Sequence, residues 1–216
     1  MNIAFRGLVL LILALAGQAC YAQAKESGWY LGVGVGGSRT SYSNVDFTLT
    51  PPVAGTTESQ NTNRTGAKFF AGYDFTKNWG IEGGFASLGT PEYKYGGTVN
   101  GQDRFKATSW NLAGKGTLPL GDKFNIFGKL GVSSNRASSS TATTGGLVQN
   151  VSATKTRTDT LAGVGGTYHI NSNISVRLEY ESYGKFGNAV NHVVATPGET
   201  GRATIGLWSV GMVYKF

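Results

Sequence analysis

The chain has 216 residues, of which 14% are charged, and a formal charge of +7. That length suits one ordinary domain, and the single cysteine, Cys20, excludes an internal disulfide frame and a cysteine-built metal site. Low charge with 33 glycines would fit a low-complexity chain, but regular aromatic and β-branched alternation along the sequence argues for folded β-structure.

Residues 1–24 read as a secretory signal. Arg6 gives the start a positive charge. Gly7 to Gly17 is an apolar run of about 11 residues, well short of the roughly 20 that a spanning helix needs. Ala22-Gln23-Ala24 then supplies small residues for cleavage. Cleavage is expected after Ala24, with Ala22 as the alternative. Cys20 leaves with the signal, because Gln18 ahead of it fits a lipidation motif poorly. Loss of Arg6 leaves 18 Lys+Arg against 12 acids, a charge of about +6. Residues 25–216 are expected to form one β-barrel domain. No later segment is apolar enough for a helical span, so membrane residence would require a closed barrel.

Three short polar turns separate alternating runs: Thr76-Lys77-Asn78, Gly121-Asp122-Lys123 and Asn171-Ser172-Asn173. They recur about every 45 to 50 residues, the length of a hairpin plus one long loop. Segments near 41–63, 89–104, 138–156 and 184–201 are rich in Ser, Thr, Asn and Gly. They read as long loops without regular structure, bent at Pro51-Pro52 and Pro197-Gly198. The expected strands are eight: 28–40, 65–75, 79–88, 105–118, 124–137, 157–170, 174–183 and 203–216. Short turns at one end and long loops at the other are the asymmetry of outer-membrane barrels.

Alternate residues of a strand face opposite ways. In the first strand Trp29, Leu31, Val33 and Val35 oppose Tyr30, Gly32, Gly34 and Gly36. In the second, Phe69, Ala71, Tyr73 and Phe75 oppose Lys68, Phe70, Gly72 and Asp74. The pattern continues through the third, fourth, fifth and sixth. The seventh is the clearest, with Ile174, Val176, Leu178 and Tyr180 opposite Ser175, Arg177, Glu179 and Glu181. In the last, Trp208, Val210, Met212, Tyr214 and Phe216 share an apolar face. A soluble barrel would alternate too, with its apolar face inward. Two features favour lipid outside. Aromatics gather near the short turns (Trp29, Phe75, Trp79, Phe124, Tyr168, Tyr214 and Phe216), as one interfacial girdle would. Glycines crowd the opposite face, as a narrow eight-stranded interior requires. The expected fold is therefore all-β: an eight-stranded antiparallel transmembrane up-and-down barrel. The glycines of Gly32-Val33-Gly34-Val35-Gly36 belong to its first strand, because no helix pattern follows to make a nucleotide loop.

Several segments resemble the OmpA-like transmembrane domain family of small outer-membrane barrels. They are Gly28-Trp29-Tyr30, Gly72-Tyr73, Gly80-Ile81-Glu82-Gly83-Gly84-Phe85, and Arg177-Leu178-Glu179-Tyr180 preceded by Ala162-Gly163-Val164-Gly165-Gly166-Thr167-Tyr168. The resemblance covers nearly all of the mature chain. It implies a barrel without the family's peptidoglycan-binding C-terminal domain. It also implies a lumen filled by a charged cluster at Glu82, Lys115, Lys129, Arg177 and Glu179. The family carries a further acid where this chain has Thr167, so one cation is expected to pair elsewhere, with Glu181 or Asp74.

The residues lead to the same cluster independently. Charges in so narrow a lumen must pair to offset desolvation, and Arg177 can hold Glu82 or Glu179 bidentately. Such pairs either plug the barrel or gate a narrow pore through exchange of Glu82 between Lys115 and Arg177. Enzymatic chemistry is not expected. His169 lies at the short-turn end, and His192 in a long loop lacks a serine or acid at suitable spacing. No metal-ligand spacing or cofactor motif occurs.

Basic residues collect where strands enter the long loops: Arg39, Arg64, Arg104, Lys106, Arg136, Lys155, Arg157, Lys185 and Arg202. That ring could meet lipopolysaccharide phosphates and does not imply nucleic acid. The expectation is a monomeric, non-enzymatic envelope protein of the outer membrane, delivered to the barrel-assembly machinery by its C-terminal strand. A narrow pore and a loop-borne adhesin are the alternatives.

Overall fold

The computed structural model describes residues 27–42, 56–90, 92–97, 100–144, 151–188 and 202–216. The signal segment with Cys20, Ala22 and Ala24 lies outside the described residues. So do His192, Pro51-Pro52 and Pro197-Gly198.

Antiparallel pairing closes on itself through β1 (Gly28–Tyr42), β3 (Asn63–Asp74), β4 (Trp79–Ser87), β6 (Asn100–Pro119), β7 (Phe124–Thr144), β8 (Val151–His169), β9 (Ile174–Phe186) and β10 (Ala203–Lys215). These eight strands form an up-and-down barrel in chain order, sealed where β1 meets β10 over Tyr30↔Lys215 to Tyr42↔Ala203. Closure satisfies the backbone groups that lipid cannot. Side-chain hydrogen bonds and a glycine shape the short turns. Thr76 Oγ1 accepts from the backbone N–H of Asn78 and Trp79, and Asn171 Oδ1 from those of Asn173 and Ile174. Gly121 adopts the positive φ of 103° that its turn requires.

The expected strand faces hold throughout. Trp29, Val33, Phe69, Trp79, Leu112, Leu130, Val164, Leu178 and Val210 are exposed on the outside, and Tyr30, Phe70, Glu82, Lys129, Arg177 and Glu179 are buried inside. An apolar outside with a charged inside is the inverse of a soluble barrel, and it suits a lipid solvent. The glycines of β1 make room for bulky neighbours: a Cβ on Gly32 would lie 2.2 Å from the Phe70 ring.

One expectation is corrected. Where they are described, parts of the polar segments are strand rather than loops without regular structure. β2 (Thr56–Asn61) pairs with β5 (Glu92–Gly97), which pairs with β6, while β6, β7 and β8 run 20, 21 and 19 residues. Their Ser/Thr-rich ends carry no apolar alternation, yet Thr suits a strand and the ladder propagates from the barrel below. Aromatic side chains also pair away from the short turns. Phe85 packs on Trp110 at 4.9 Å and Tyr180 on Trp208 at 4.8 Å, toward the long-strand end. These residues are far apart in sequence, so their common level shows only once register is known.

Candidate functional site: the barrel interior

The interior is stacked in three levels. At the long-strand end lies an apolar cap of Leu88, Phe105, Leu161, Tyr183, Phe186, Ile205 and Leu207, with alanines between them. Polar side chains beneath the cap cover carbonyls where the ladders part. Ser38 donates to Leu88 O at 2.6 Å, and Ser133 and Asn135 donate to Tyr183 O at 2.8 and 2.5 Å.

The middle level holds three cations and three acids: Lys68 on β3, Lys129 on β7, Arg177 on β9, Glu82 on β4, and Glu179 and Glu181 on β9. Arg177 Nη1 donates to Glu82 Oε2 at 2.6 Å, and Lys129 Nζ to Glu82 Oε1 at 2.8 Å. Lys129 also pairs with Glu179 and Glu181. Lys68 pairs with Glu179 and reaches Glu181 Oε2 at 2.7 Å. Two phenols complete the acids' shells. Tyr30 donates to Glu82 at 2.9 Å and Tyr183 to Glu181 at 2.7 Å. The Arg177 guanidinium lies 4.6 Å from the ring centroids of both Phe70 and Phe127. Equal numbers of opposite charges meet the requirement that buried ions be compensated. The three acids would offer oxygens to a metal ion, but ammonium and guanidinium groups already sit among them.

At the short-turn end, Lys115 and Lys215 flank Asp74, each at 2.8 Å. Lys115 Nζ also lies 4.1 Å from the centroid of the Tyr30 ring. A cavity of about 180 Å³ opens here between the turns. His169 Nδ1 lies 2.7 Å from Ser175 Oγ, and Asn125 Nδ2 lies 2.9 Å from His169 Nε2. Because the amide nitrogen only donates, Nε2 accepts and the ring hydrogen is on Nδ1. The imidazole therefore donates to Ser175 and is not placed to take its proton.

Of the five residues selected from sequence, Glu82, Lys129, Arg177 and Glu179 come together. Lys115 sits a level lower on Asp74, and Lys129 rather than Lys115 holds the second side of Glu82, the side that the alternative gating reading gave to Lys115. Lys68, Tyr30 and Tyr183 were missed. Lys68 and Tyr30 were legible as inward-facing, but their partners lie across the barrel. Tyr183 lies at the predicted strand end. The girdle residues all lie on the outer face near the short turns, Trp79 being 68% and Trp29 64% exposed. Tyr214 and Phe216 stack edge-on at 5.1 Å.

Residues 24–216 match the OmpA-like transmembrane domain. The chain belongs to that family. The OmpA-like assignment is supported by Outer membrane protein A of Serratia marcescens, 34% identical over 211 residues, covering 96% of this chain and 55% of that protein. Outer membrane protein A of Shigella flexneri is 32% identical over 210 residues, with the same coverage. The chain thus spans about half the length of these relatives. Among solved structures, the attachment invasion locus protein Ail of Yersinia pestis superposes with a TM-score of 0.52 at 18% identity, over 89% of this chain and all of that one. Neisserial surface protein A superposes at 0.53 and 15% identity, over 89% and 99%. Both share the barrel fold. Membership, relatives and an apolar exterior place this OmpA-like protein in the outer membrane.

Proposed function

We propose that this protein is a structural, non-enzymatic barrel of the bacterial outer membrane, with a closed interior and an extended strand array displayed at the surface. The observation that carries the reading is the stack of a charge-balanced level beneath a fully buried apolar cap. Glu82, Glu179 and Arg177 are between 1% and 4% exposed, and Leu88, Leu161, Tyr183, Phe186, Ile205 and Leu207 are all at 0%. An ion would have to separate buried pairs and cross an apolar layer, each costly in a confined space. In planar bilayers the refolded protein is expected to give no discrete conductance steps, and Arg177→Ala to stay silent as well. Regular ion-selective steps in the wild type would sink the closed-lumen reading.

A second reading, a narrow gated pore, draws on Glu82 being shared between Arg177 and Lys129 at 2.6 and 2.8 Å. Release of either bond leaves the carboxylate held by the other cation. The same recordings decide between the two readings.

In the proposed arrangement the short turns face the periplasm and the long strands the exterior, as the asymmetry of such barrels implies. Residues 1–24 act as a cleaved signal, the mature domain is 25–216, and the protein is a monomer. The C-terminal strand with Phe216 engages the assembly machinery. Arg39, Lys106 and Arg136 are exposed on outward-facing strand positions beyond the Trp110 level, where lipopolysaccharide phosphates would lie. Other rim cations are internally engaged: Arg64 with Glu92 at 3.3 Å and Arg157 with Asp159 at 3.7 Å.

A further inference from the structure

We infer that the cavity at the short-turn end is a binding site for a small soluble oxyanion. The charge balance of the middle level does not extend to this one. Two lysines, Lys115 and Lys215, share the single carboxylate of Asp74. Lys115 is 5% exposed. Lys77 and Asp122 on the surrounding turns also line the cavity. Both ammonium groups lean on the same carboxylate in a confined space, so an entering anion adds compensation that neither has to itself.

The donors around these groups match an oxyanion. Arg177 lies at the inner end of the cavity with its Nη1 on Glu82, while its buried Nε has no hydrogen-bond partner. Thr167, the cross-strand neighbour of Arg177, lines the same cavity and brings a hydroxyl and no charge. The chain from Asn125 through His169 to Ser175 ends with Ser175 Oγ as an acceptor, which frees its own hydrogen to donate into the cavity. Two ammonium groups and a donating hydroxyl around about 180 Å³ suit a phosphate- or carboxylate-sized anion. The cavity lies below the charge level, so the site stands whether or not the lumen conducts. A conducting barrel would overturn the closed-lumen reading and leave this one intact. With short turns toward the periplasm, the anion would come from that compartment.

The test is calorimetric titration of the refolded, detergent-solubilised protein with inorganic phosphate at fixed ionic strength and chloride. Saturable one-site binding is expected. Thr167→Glu places a carboxylate beside Arg177 and should abolish it. Lys215→Gln, at the cavity mouth, should weaken it about tenfold, the worth of one charge-assisted hydrogen bond. Lys106→Gln, on the outer face at the opposite end, should leave it unchanged. Each variant is first checked for the heat-modifiable gel migration of a closed barrel. If Thr167→Glu does not close, Lys215→Gln against Lys106→Gln still decides. Absence of saturable binding in the wild type, or equal affinity in the wild type and Lys215→Gln, overturns the inference.

Discussion

Glu82→Gln changes one atom at the centre of the middle level, and its consequence can be worked from the bonds it disturbs. Glu82 accepts from Arg177 at 2.6 Å, Lys129 at 2.8 Å and Tyr30 at 2.9 Å. Lys129 keeps Glu179 and Glu181 when the charge is removed. Arg177 keeps only Glu179, at 3.9 Å. The main loss is therefore compensation of a buried guanidinium, which costs about 3–5 kcal/mol when one partner of a buried pair is removed. Arg177→Met alone unbalances the level in the other direction and should cost a similar amount. The double variant restores equal charge, so its cost should fall below the sum of the single costs by about 1–3 kcal/mol. Urea unfolding in lipid vesicles, followed by tryptophan emission and by gel migration without boiling, reads both quantities. If Glu82→Gln stays within about 1 kcal/mol of wild type, or the two changes add, the middle level is not held by charge balance.

Other consequences follow from particular positions. All four tryptophans lie on the outer face, Trp29, Trp79, Trp110 and Trp208 being 57% to 68% exposed. Lipids brominated on their acyl chains should therefore quench emission strongly while aqueous acrylamide quenches little; the reverse ranking would put these residues in water. A Cβ on Gly36 would lie 1.7 Å from Trp208 O across the closing seam. Gly36→Ala should accordingly yield little heat-modifiable barrel, and normal yields would mean the β1–β10 register is wrong. Gly184 has a φ of +71° and a Cβ there would meet Asp159 Cγ at 2.9 Å, where β8 and β9 separate. Gly184→Ala should cost about 1–3 kcal/mol in the same urea assay; no loss would remove the strain argument.

The faces of the strands were readable because a period of two survives any error in strand length. Arg177, Glu179 and Glu181 alternate with Ile174, Val176, Leu178 and Tyr180 whatever β9 pairs with. What sequence did not show was height. Lys115 and Lys129 are directly opposite in register, yet one side chain joins Asp74 and the other reaches Glu82. The direction in which each lysine leans, not strand position or length, separates them. Lys68 was visible as inward but had no acid near it in sequence. Its partners Glu179 and Glu181 are on β9, across the lumen. The strands beyond the barrel were hidden for a different reason. Residues such as Ser138, Ser139 and Ser140 have no apolar face to report, and their pairing with β6 and β8 is imposed by the ladder below.

The same geometry bears on how the barrel forms. The bonds of the middle level join residues far apart in the chain: Lys68 with Glu181 are separated by 113 positions, Arg177 with Glu82 by 95, and Lys129 with Glu82 by 47. Lys68 and Glu181 are on strands that do not pair with each other, since β1 and β10 lie between β3 and β9. A hairpin-by-hairpin intermediate would expose these charges to lipid without partners, and the cost of a buried uncompensated ion opposes insertion in that form. For Lys68, compensation arrives only when β10 reaches β1 and the lumen closes. The Lys68 pairs thus favour the closed barrel over a sheet that stops short of the seam. Refolding of Glu82→Gln should accordingly lose stability and cooperativity together, visible as a broader urea transition, whereas a change at the seam such as Gly36→Ala should remove the closed form without a populated intermediate.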